Sequence, residues 1–251
     1  MNADRAEAAF WAGFLRNRNV EAATADDAAI PVAGGYAISV PGTVYQLALA
    51  VGSSRPLTED DLRIVDAFYR AREALPRIEL REEALARDRT VLADGGYDAE
   101  ELAITLLEAP AARFPDDPAI RVRATTDRAG WVALASAGFA GDGDPAPHVR
   151  TAQVGAAAAS GLFVAEIDGT PAGAGAAGIA GDVAFLYSGT VLPAFRGRGV
   201  HGALLRARLS YAVSRGATRG ALKALAGSSS ERSAKRAGFV PTATLRRARR
   251  S

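Results

Sequence analysis

Residues Phe195–Leu205 read FRGRGVHGALL. A strand-like run, Val183–Leu192, leads into Pro193 just before it, and an apolar pattern of helical spacing follows at once. Gly197, Gly199 and Gly202 fall within this short stretch beside Arg196 and Arg198. Glycines between a strand and a helix start leave backbone N–H groups free and let an anion come close. The two arginines add fixed positive charge. Together these groups form a grip for a pyrophosphate.

Other phosphate loops fit less well. A Walker A loop needs Gly-Lys-Ser/Thr to reach the terminal phosphates and magnesium, and none occurs here. Gly197-x-Gly199-x-x-Gly202 matches the dinucleotide fingerprint as a string. However, it comes late in the chain, after hairpin-like segments, and no Asp or Glu occurs from Gly202 through Ser230 to take a ribose hydroxyl.

The 251-residue chain is 49% apolar and 23% charged, which suits one large or two small globular domains. No run approaches the ~18 apolar residues of a membrane span, and the N-terminus has no signal-like apolar core. The chain has no cysteine and only two histidines, far apart, so a thiol nucleophile is excluded and a structural zinc site is not expected. The cytoplasm is the expected compartment. A net charge of +2 owes much to Arg246, Arg247, Arg249 and Arg250. With no interleaved aromatics, these read as a solvated last strand and a frayed end rather than as a nucleic-acid platform.

Ala111–Pro118, with two prolines and adjacent aspartates, reads as a linker between domains 1–110 and 119–251. In the second half, Ile120–Thr125 reads as a strand. Asp127 caps a helix running to Phe139, and Val149–Ala159 forms another. Leu162–Ile167 and Ala172–Ile179 form a hairpin about Asp168-Gly169. After the glycine loop, a helix runs to Ser214. Ala221–Leu225 is a strand, Ser228–Arg236 a helix capped by Gly238, and Val240–Leu245 a last strand. The first half repeats part of this order: strand Val44–Val51, helix Thr58–Tyr69, strand Arg77–Leu80, helix Glu82–Asp94 and strand Leu102–Leu107. Thr58 precedes Tyr97 by 39 residues and Gly199 precedes Phe239 by 40, so Gly95-Gly96-Tyr97 stands where Ala237-Gly238-Phe239 stands later. This spacing reads as a diverged tandem duplication.

The order strand, Val191-Leu192-Pro193, glycine loop, Leu204-Leu205 helix and terminal Ala237-Gly238-Phe239 resembles the coenzyme A region of the GCN5-related N-acetyltransferase (GNAT) superfamily. The resemblance covers about residues 118–251, most specifically 183–239. It implies an α/β (α+β) fold of tandem GNAT-like domains, each a mixed, mostly antiparallel sheet flanked by helices. It also implies acetyl-CoA as cofactor. The fourth and fifth strands of the domain would splay and receive the pantetheine arm along Thr190, Val191 and Leu192. The amides of Gly197, Arg198, Gly199, Val200, His201 and Gly202 would hold the pyrophosphate at a helix N-terminus. Arg196 and Arg198 would pair with phosphate oxygens. A backbone N–H near Val191 or Leu192 would hold the oxyanion.

The chain departs from the family pattern at two places. His201 stands where Gly or Ala is usual, and reads as an exposed or packed residue rather than a base. Ala234 stands where the family often has the tyrosine that protonates the leaving thiolate. Ser229, Ser230 and Ser233 lie on the same helix; Ser230 and Ser233 are candidate donors to the sulfur, whereas Ser228 and Ser229 read as caps. For the proton of the attacking amine, Asp182, Glu166 and Tyr187 are the candidates, with bound water as relay.

The first half offers no second grip. Its counterpart of the loop, Ser53–Asp61, has no glycine, and Thr58 with Asp61 reads as a capping box. Acidic residues there would repel a pyrophosphate. Residues 1–110 therefore read as a degenerate domain of the same type, with Phe10, Trp11, Phe14 and Leu15 in its core. The expected activity is transfer of an acetyl group from acetyl-CoA to a small-molecule amine. The alternative is an acyl-CoA-binding sensor without chemistry. No nucleic-acid or membrane partner is expected, and a homodimer stays open.

Overall fold

The computed structural model describes residues 2–16, 26–115 and 117–251. Met1, residues 17–25 and Asp116, the last inside the expected linker, lie outside the described residues. In chain order, the elements begin with α1 (Ala3–Arg16), β1 (Ala28–Val32), β2 (Gly35–Ser39), β3 (Leu47–Leu49), α2 (Glu59–Arg70), β4 (Arg77–Arg81), α3 (Glu82–Arg87), α4 (Arg89–Asp94) and β5 (Tyr97–Pro110). Next come β6 (Arg121–Thr125), α5 (Arg128–Ala140), α6 (Ala146–Ala158), β7 (Gly161–Ile167), β8 (Thr170–Ala180) and β9 (Val183–Val191). The last are α7 (Val200–Ser214), β10 (Arg219–Leu225), α8 (Ser229–Arg236) and β11 (Val240–Arg250). They form two units, residues 1–106 with 241–251, and residues 107–240.

The first unit carries strands in the order β1-β2-β3-β4-β11-β5. The β1–β2, β2–β3 and β4–β11 pairs are antiparallel, and β3 and β4 run parallel across α2. The N-terminus of α2 is closed as its sequence predicts. Thr58 Oγ1 accepts from the Asp61 N–H, and Asp61 Oδ2 accepts from the Thr58 N–H at 2.9 Å. Arg55 adds a two-pronged ion pair to the same carboxylate, at 2.6 and 2.8 Å.

Several expectations for this half need correction. The strand over Val44–Val51 shrinks to β3, because Thr43 turns the chain through bonds with the Val40 carbonyl and the Tyr45 N–H, leaving Val44 exposed. The helix over Glu82–Asp94 is two helices. It breaks at Asp88, whose buried carboxylate takes both prongs of Arg87. A β1–β2 hairpin turns on Ala33 and Gly34, both left-handed.

The largest correction concerns the last strand. β11 runs past Leu245 to Arg250 and pairs with β4, from Leu245 opposite Arg81 to Arg249 opposite Arg77. Ala248 enters the core of the first unit. Carboxylates hold the arginines: Arg246 pairs with Glu82 at 3.0 Å, Arg247 with Glu79 at 3.2 Å, and Arg250 with Asp66. The end of the chain is a paired strand rather than a frayed tail. The expected linker is bound as well, with the Ala111 N–H on the Thr218 carbonyl and the Phe114 N–H on Ser210 Oγ, both at 2.9 Å.

The second unit orders its strands β10-β9-β8-β7-β6, with the end of β5 beside β10. β6 through β9 are antiparallel, and β9 and β10 run parallel across α7. This mixed, mostly antiparallel sheet flanked by helices matches the expected fold class. Asp168 and Gly169, both left-handed, make the predicted hairpin turn. On one face, Leu204, Leu205 and Leu209 of α7 pack with Phe163, Leu186 and Phe239. On the other, Trp131 and Ala135 of α5 and Ala152 and Ala156 of α6 cover Leu162, Val164 and Ala174. Trp131 Nε1 donates to the Phe163 and Gly175 carbonyls. Both units thus repeat one order, antiparallel strands followed by a helical crossover to a parallel neighbour.

Two irregularities shape the sheet. β9 and β10 pair only over Val183–Phe185 and Arg219–Ala221, then separate as a V. Opposite Gly175, β9 carries two residues, Ser188 and Gly189, since Ala176 faces Tyr187 and Ala174 faces Thr190. Ser188 takes φ +50°, so this bulge holds a residue in a conformation unfavourable to it.

Candidate active site

The glycine loop lies at the open end of the V. A short 3-10 turn, Pro193–Phe195, carries the chain from β9 into Arg196–Gly199, and α7 begins at Val200. Gly197 and Gly199 have φ +76° and +85°. A Cβ at Gly197 would meet nothing, and one at Gly199 only Ile120 Cδ1 at 3.5 Å. It is the left-handed backbone, rather than lack of room, that calls for glycine here. Gly199 is the N-cap, and no side chain caps the helix. The amides of Val200, His201 and Gly202 lie in the first turn, where the helix supplies no acceptor. The start of α2, by contrast, is filled by Thr58 and Asp61.

A cleft of about 800 Å³ opens between this loop and α8, with Thr190 and Val191 along one wall. Arg196, Arg232 and Arg236 line it, and among the described residues no carboxylate does. The two arginines of the loop have different duties. Arg196 donates to the Val191 and Gly138 carbonyls at 3.3 and 3.4 Å, so it braces the loop against β9 and α5. Arg198 rests over the Phe195 ring, 5.6 Å from its centroid.

The expected pantetheine wall resolves residue by residue. The Leu192 N–H donates to the Ala172 carbonyl at 2.9 Å and so belongs to the sheet. Thr190, opposite Ala174, shares that phase, and its side chain is buried against Gly138, where a Cβ would come within 2.3 Å of Thr190 Oγ1. By the alternation of an antiparallel ladder, the Val191 N–H faces away from β8 and towards the V. Of the two oxyanion candidates, Val191 is the one with its amide available.

A second opening, about 310 Å³, occupies the V itself and meets the first at Phe139, Gly189, His201 and Ser230. His201 is half-buried in the wall of both. Its Nδ1 is buried with no hydrogen-bond partner, and its Nε2 lies 3.1 Å from where a Gly189 Cβ would stand. Burial first, then Arg208 and Arg236, push its pKa down to about 4, so the imidazole is neutral at physiological pH.

Beneath the bulge lies Arg208, only 1% exposed. Its Nε donates to the Leu204 carbonyl at 2.9 Å, and its Nη1 to the Ala176 and Tyr187 carbonyls at 3.2 and 3.1 Å. A Cβ on Gly175 would stand 2.9 Å from its Cζ, and one on Gly189 3.2 Å from its Nη2. Those strand glycines make room for a guanidinium. Burial pushes it down to about 9, still a cation at neutral pH.

The other candidates are placed as follows. Ser230 lines both openings; Ser233 lines the larger one, its Oγ accepting from Arg236 at 3.1 Å. Tyr187 lines the V, but its hydroxyl donates to the Gly155 carbonyl of α6 at 3.0 Å. Asp182 and Glu166 are paired with Arg219 and Arg123 and line neither opening. Ala234 is fully buried with Phe239 in the core. Sequence reasoning missed the burial of Arg208. The available signal was its i,i+7 spacing from His201 together with two glycines in facing strands. Among the described residues, no group of His, Cys, Asp or Glu is placed to hold a metal ion, and no helix is long and apolar enough to cross a membrane.

No curated protein matches the sequence. Among solved structures, a GCN5-related N-acetyltransferase from Kribbella flavida is similar over 100% of this chain and 96% of its own, with TM-score 0.67 and 19% identity. A GCN5-related N-acetyltransferase from Sphaerobacter thermophilus matches over 73% of this chain and 64% of its own, with TM-score 0.53 and 18% identity. A tandem GNAT protein from the clavulanic acid biosynthesis pathway matches over 80% and 73%, with TM-score 0.56 and 13% identity. These likenesses concern the fold. The family model described as acetyltransferase (GNAT) family matches residues 130–239. That span holds the glycine loop, both arms of the V and α8.

Proposed function

We propose that the second unit transfers an acetyl group from acetyl-CoA to the amine of a small molecule. The observation that carries this reading is the uncapped start of α7, set behind left-handed Gly197 and Gly199 and facing an arginine-lined cleft. The amides from Gly197 to Gly202 would hold the pyrophosphate, where the helix dipole favours anions. Arg198, Arg232 and Arg236 supply charge for phosphate oxygens, while Arg196 keeps the loop in place. The pantetheine arm would follow Thr190–Leu192, along the arm of β9 that β10 has left. The thioester supplies an acyl group already activated towards amines. The Val191 N–H is fixed in the sheet and aimed into the V, so it can hold the oxyanion without reorganising. Ser230, where the two openings meet, would donate to the departing sulfur, and Ser233 is one turn further on. The amine's proton leaves through water, since Tyr187 is committed to Gly155.

The first unit would be a degenerate copy of the same domain, supported by the repeated strand order and by the Thr58–Asp61 cap that fills its counterpart site. A second reading has its own support. Ala234, Tyr187 and the absence, among the described residues, of a carboxylate lining leave the acid and base work to serines and water, which suits a protein that binds acyl-CoA without turnover. Incubating the full chain with acetyl-CoA and a panel of amines, and following thiol release, separates the two. Amine-dependent release supports transfer. Tight coenzyme A binding with no release on any amine supports the sensor.

A further inference from the structure

The V side of β9 has no strand to hold it. β9 pairs with β10 only as far as Phe185, and Val191 lies beyond that point. On the other side the ladder with β8 is interrupted, since Ser188 and Gly189 together face Gly175. Successive N–H groups of an extended chain point to opposite edges. A bulge displaced by one residue would therefore turn the Val191 N–H towards β8 and aim Thr190 or Leu192 at the V. Where the bulge sits decides which amide is offered. Ser188, at φ +50°, is strained, and such a residue persists only where its surroundings fix it.

Arg208 supplies that fixing. Its Nη1 donates to the Ala176 and Tyr187 carbonyls, and these two residues are the last matched pair before the bulge. One nitrogen thus joins both strands at the edge of the irregularity. Past it, the Leu192 N–H on the Ala172 carbonyl closes the ladder again, with Val191 between the two ties. Nε is bound to the Leu204 carbonyl, so the tie is anchored in α7, the helix that starts at the glycine loop. Gly175 and Gly189 leave the room that the guanidinium fills. The hydrogen bonds of Arg208 all go to backbone carbonyls. A buried guanidinium without a carboxylate is costly, and an apolar side chain would fill the place without that cost. Holding the bulge accounts for the arginine.

We propose that Arg208 is a positioning residue for acetyl transfer: it fixes the bulge of β9 and so keeps the Val191 N–H aimed at the thioester carbonyl. This rests on the acetyl-transfer reading above. Arg208 acts through the backbone of β9 rather than on the substrate.

The test compares the full chain with Arg208→Met, which removes all three bonds, and Arg208→Lys, which keeps the cation. The first readout is kcat and KM with acetyl-CoA and the fastest amine of the panel above. The second is the infrared carbonyl band of bound acetyl-CoA carrying carbon-13 at the acetyl carbonyl. In the parent chain this band should lie below that of free acetyl-CoA, polarised by the Val191 amide. Arg208→Met should lose the displacement and about a hundredfold in kcat, the scale of one lost oxyanion donor, with the acetyl-CoA KM within about threefold. Arg208→Lys should lose about tenfold in kcat and part of the displacement, which keeps the test decisive if the Met variant does not fold. An arginine with a merely structural role would lower the folded fraction and leave the band and the kcat of folded enzyme alone. That result overturns the proposal, as does a loss confined to the acetyl-CoA KM. A parent chain that binds no acetyl-CoA, or transfers to no amine, would instead overturn the proposed function and this proposal with it.

Discussion

Lowering the pH from 7 to 5 should cost the second unit about 2 kcal/mol through His201 alone. The native state holds this imidazole near pKa 4, against 6.5 for the free side chain, because burial and then Arg208 and Arg236 disfavour its cation. An unfolded chain therefore takes up a proton below pH 6.5, whereas the folded one does so only below about 4. The stability tied to neutral His201 is whole above pH 6.5 and is lost as pH falls towards 4. At 1.36 kcal/mol per pKa unit, the full window amounts to about 3 kcal/mol, and about 2 kcal/mol is lost by pH 5. Urea denaturation followed by Trp131 fluorescence, in a Trp11→Phe background, reads the second unit. The chain with His201 should lose about 2 kcal/mol more between pH 7 and pH 5 than the same chain with His201→Gln. Equal losses in the two proteins would refute the placement of His201 in the wall between the openings.

The two arginines of the loop should separate in their effects. Arg196→Ala removes two bonds to carbonyls and should lower stability by about 1 kcal/mol, measured by denaturation. Arg198→Ala should leave stability unchanged and weaken coenzyme A binding about tenfold, measured by calorimetry. In the first unit, hydrogen bonding from Arg55 holds the Asp61 carboxyl down at about 2 against burial, with Thr58 assisting. Asp61→Asn should cost about 1–2 kcal/mol at pH 7, allowing for the half-exposed arginine. That difference should persist down to about pH 4 and fade as pH falls from there towards 2.

Much of this molecule could be read in advance where the signal was local. The glycine loop, the Asp127, Thr58 and Ser228 caps and the Asp168-Gly169 turn each depend on residues a few positions apart, and each formed as read. Long-range features were not legible. β11 looked like a frayed basic end because its partners, Glu79 and Glu82, lie more than 160 residues upstream. Pairing across such distances leaves no periodic mark in the sequence. The glycines of β8 made it look like a weak strand, yet Gly175 accommodates a buried guanidinium that composition alone would assign to the surface. The bulge at Ser188–Gly189 was hidden for a related reason. It arises from register against β8, and it brings the Val191 amide to the V while Leu192 is tied to Ala172.

The proposed function requires one grip for coenzyme A per chain, at the start of α7. Isothermal titration of the full chain with acetyl-CoA measures this directly, with Gly199→Val as the control, since a branched residue cannot readily hold φ near +85°. The expected result is one site per chain, lost in the variant. Two sites per chain, or affinity unchanged by Gly199→Val, would contradict it.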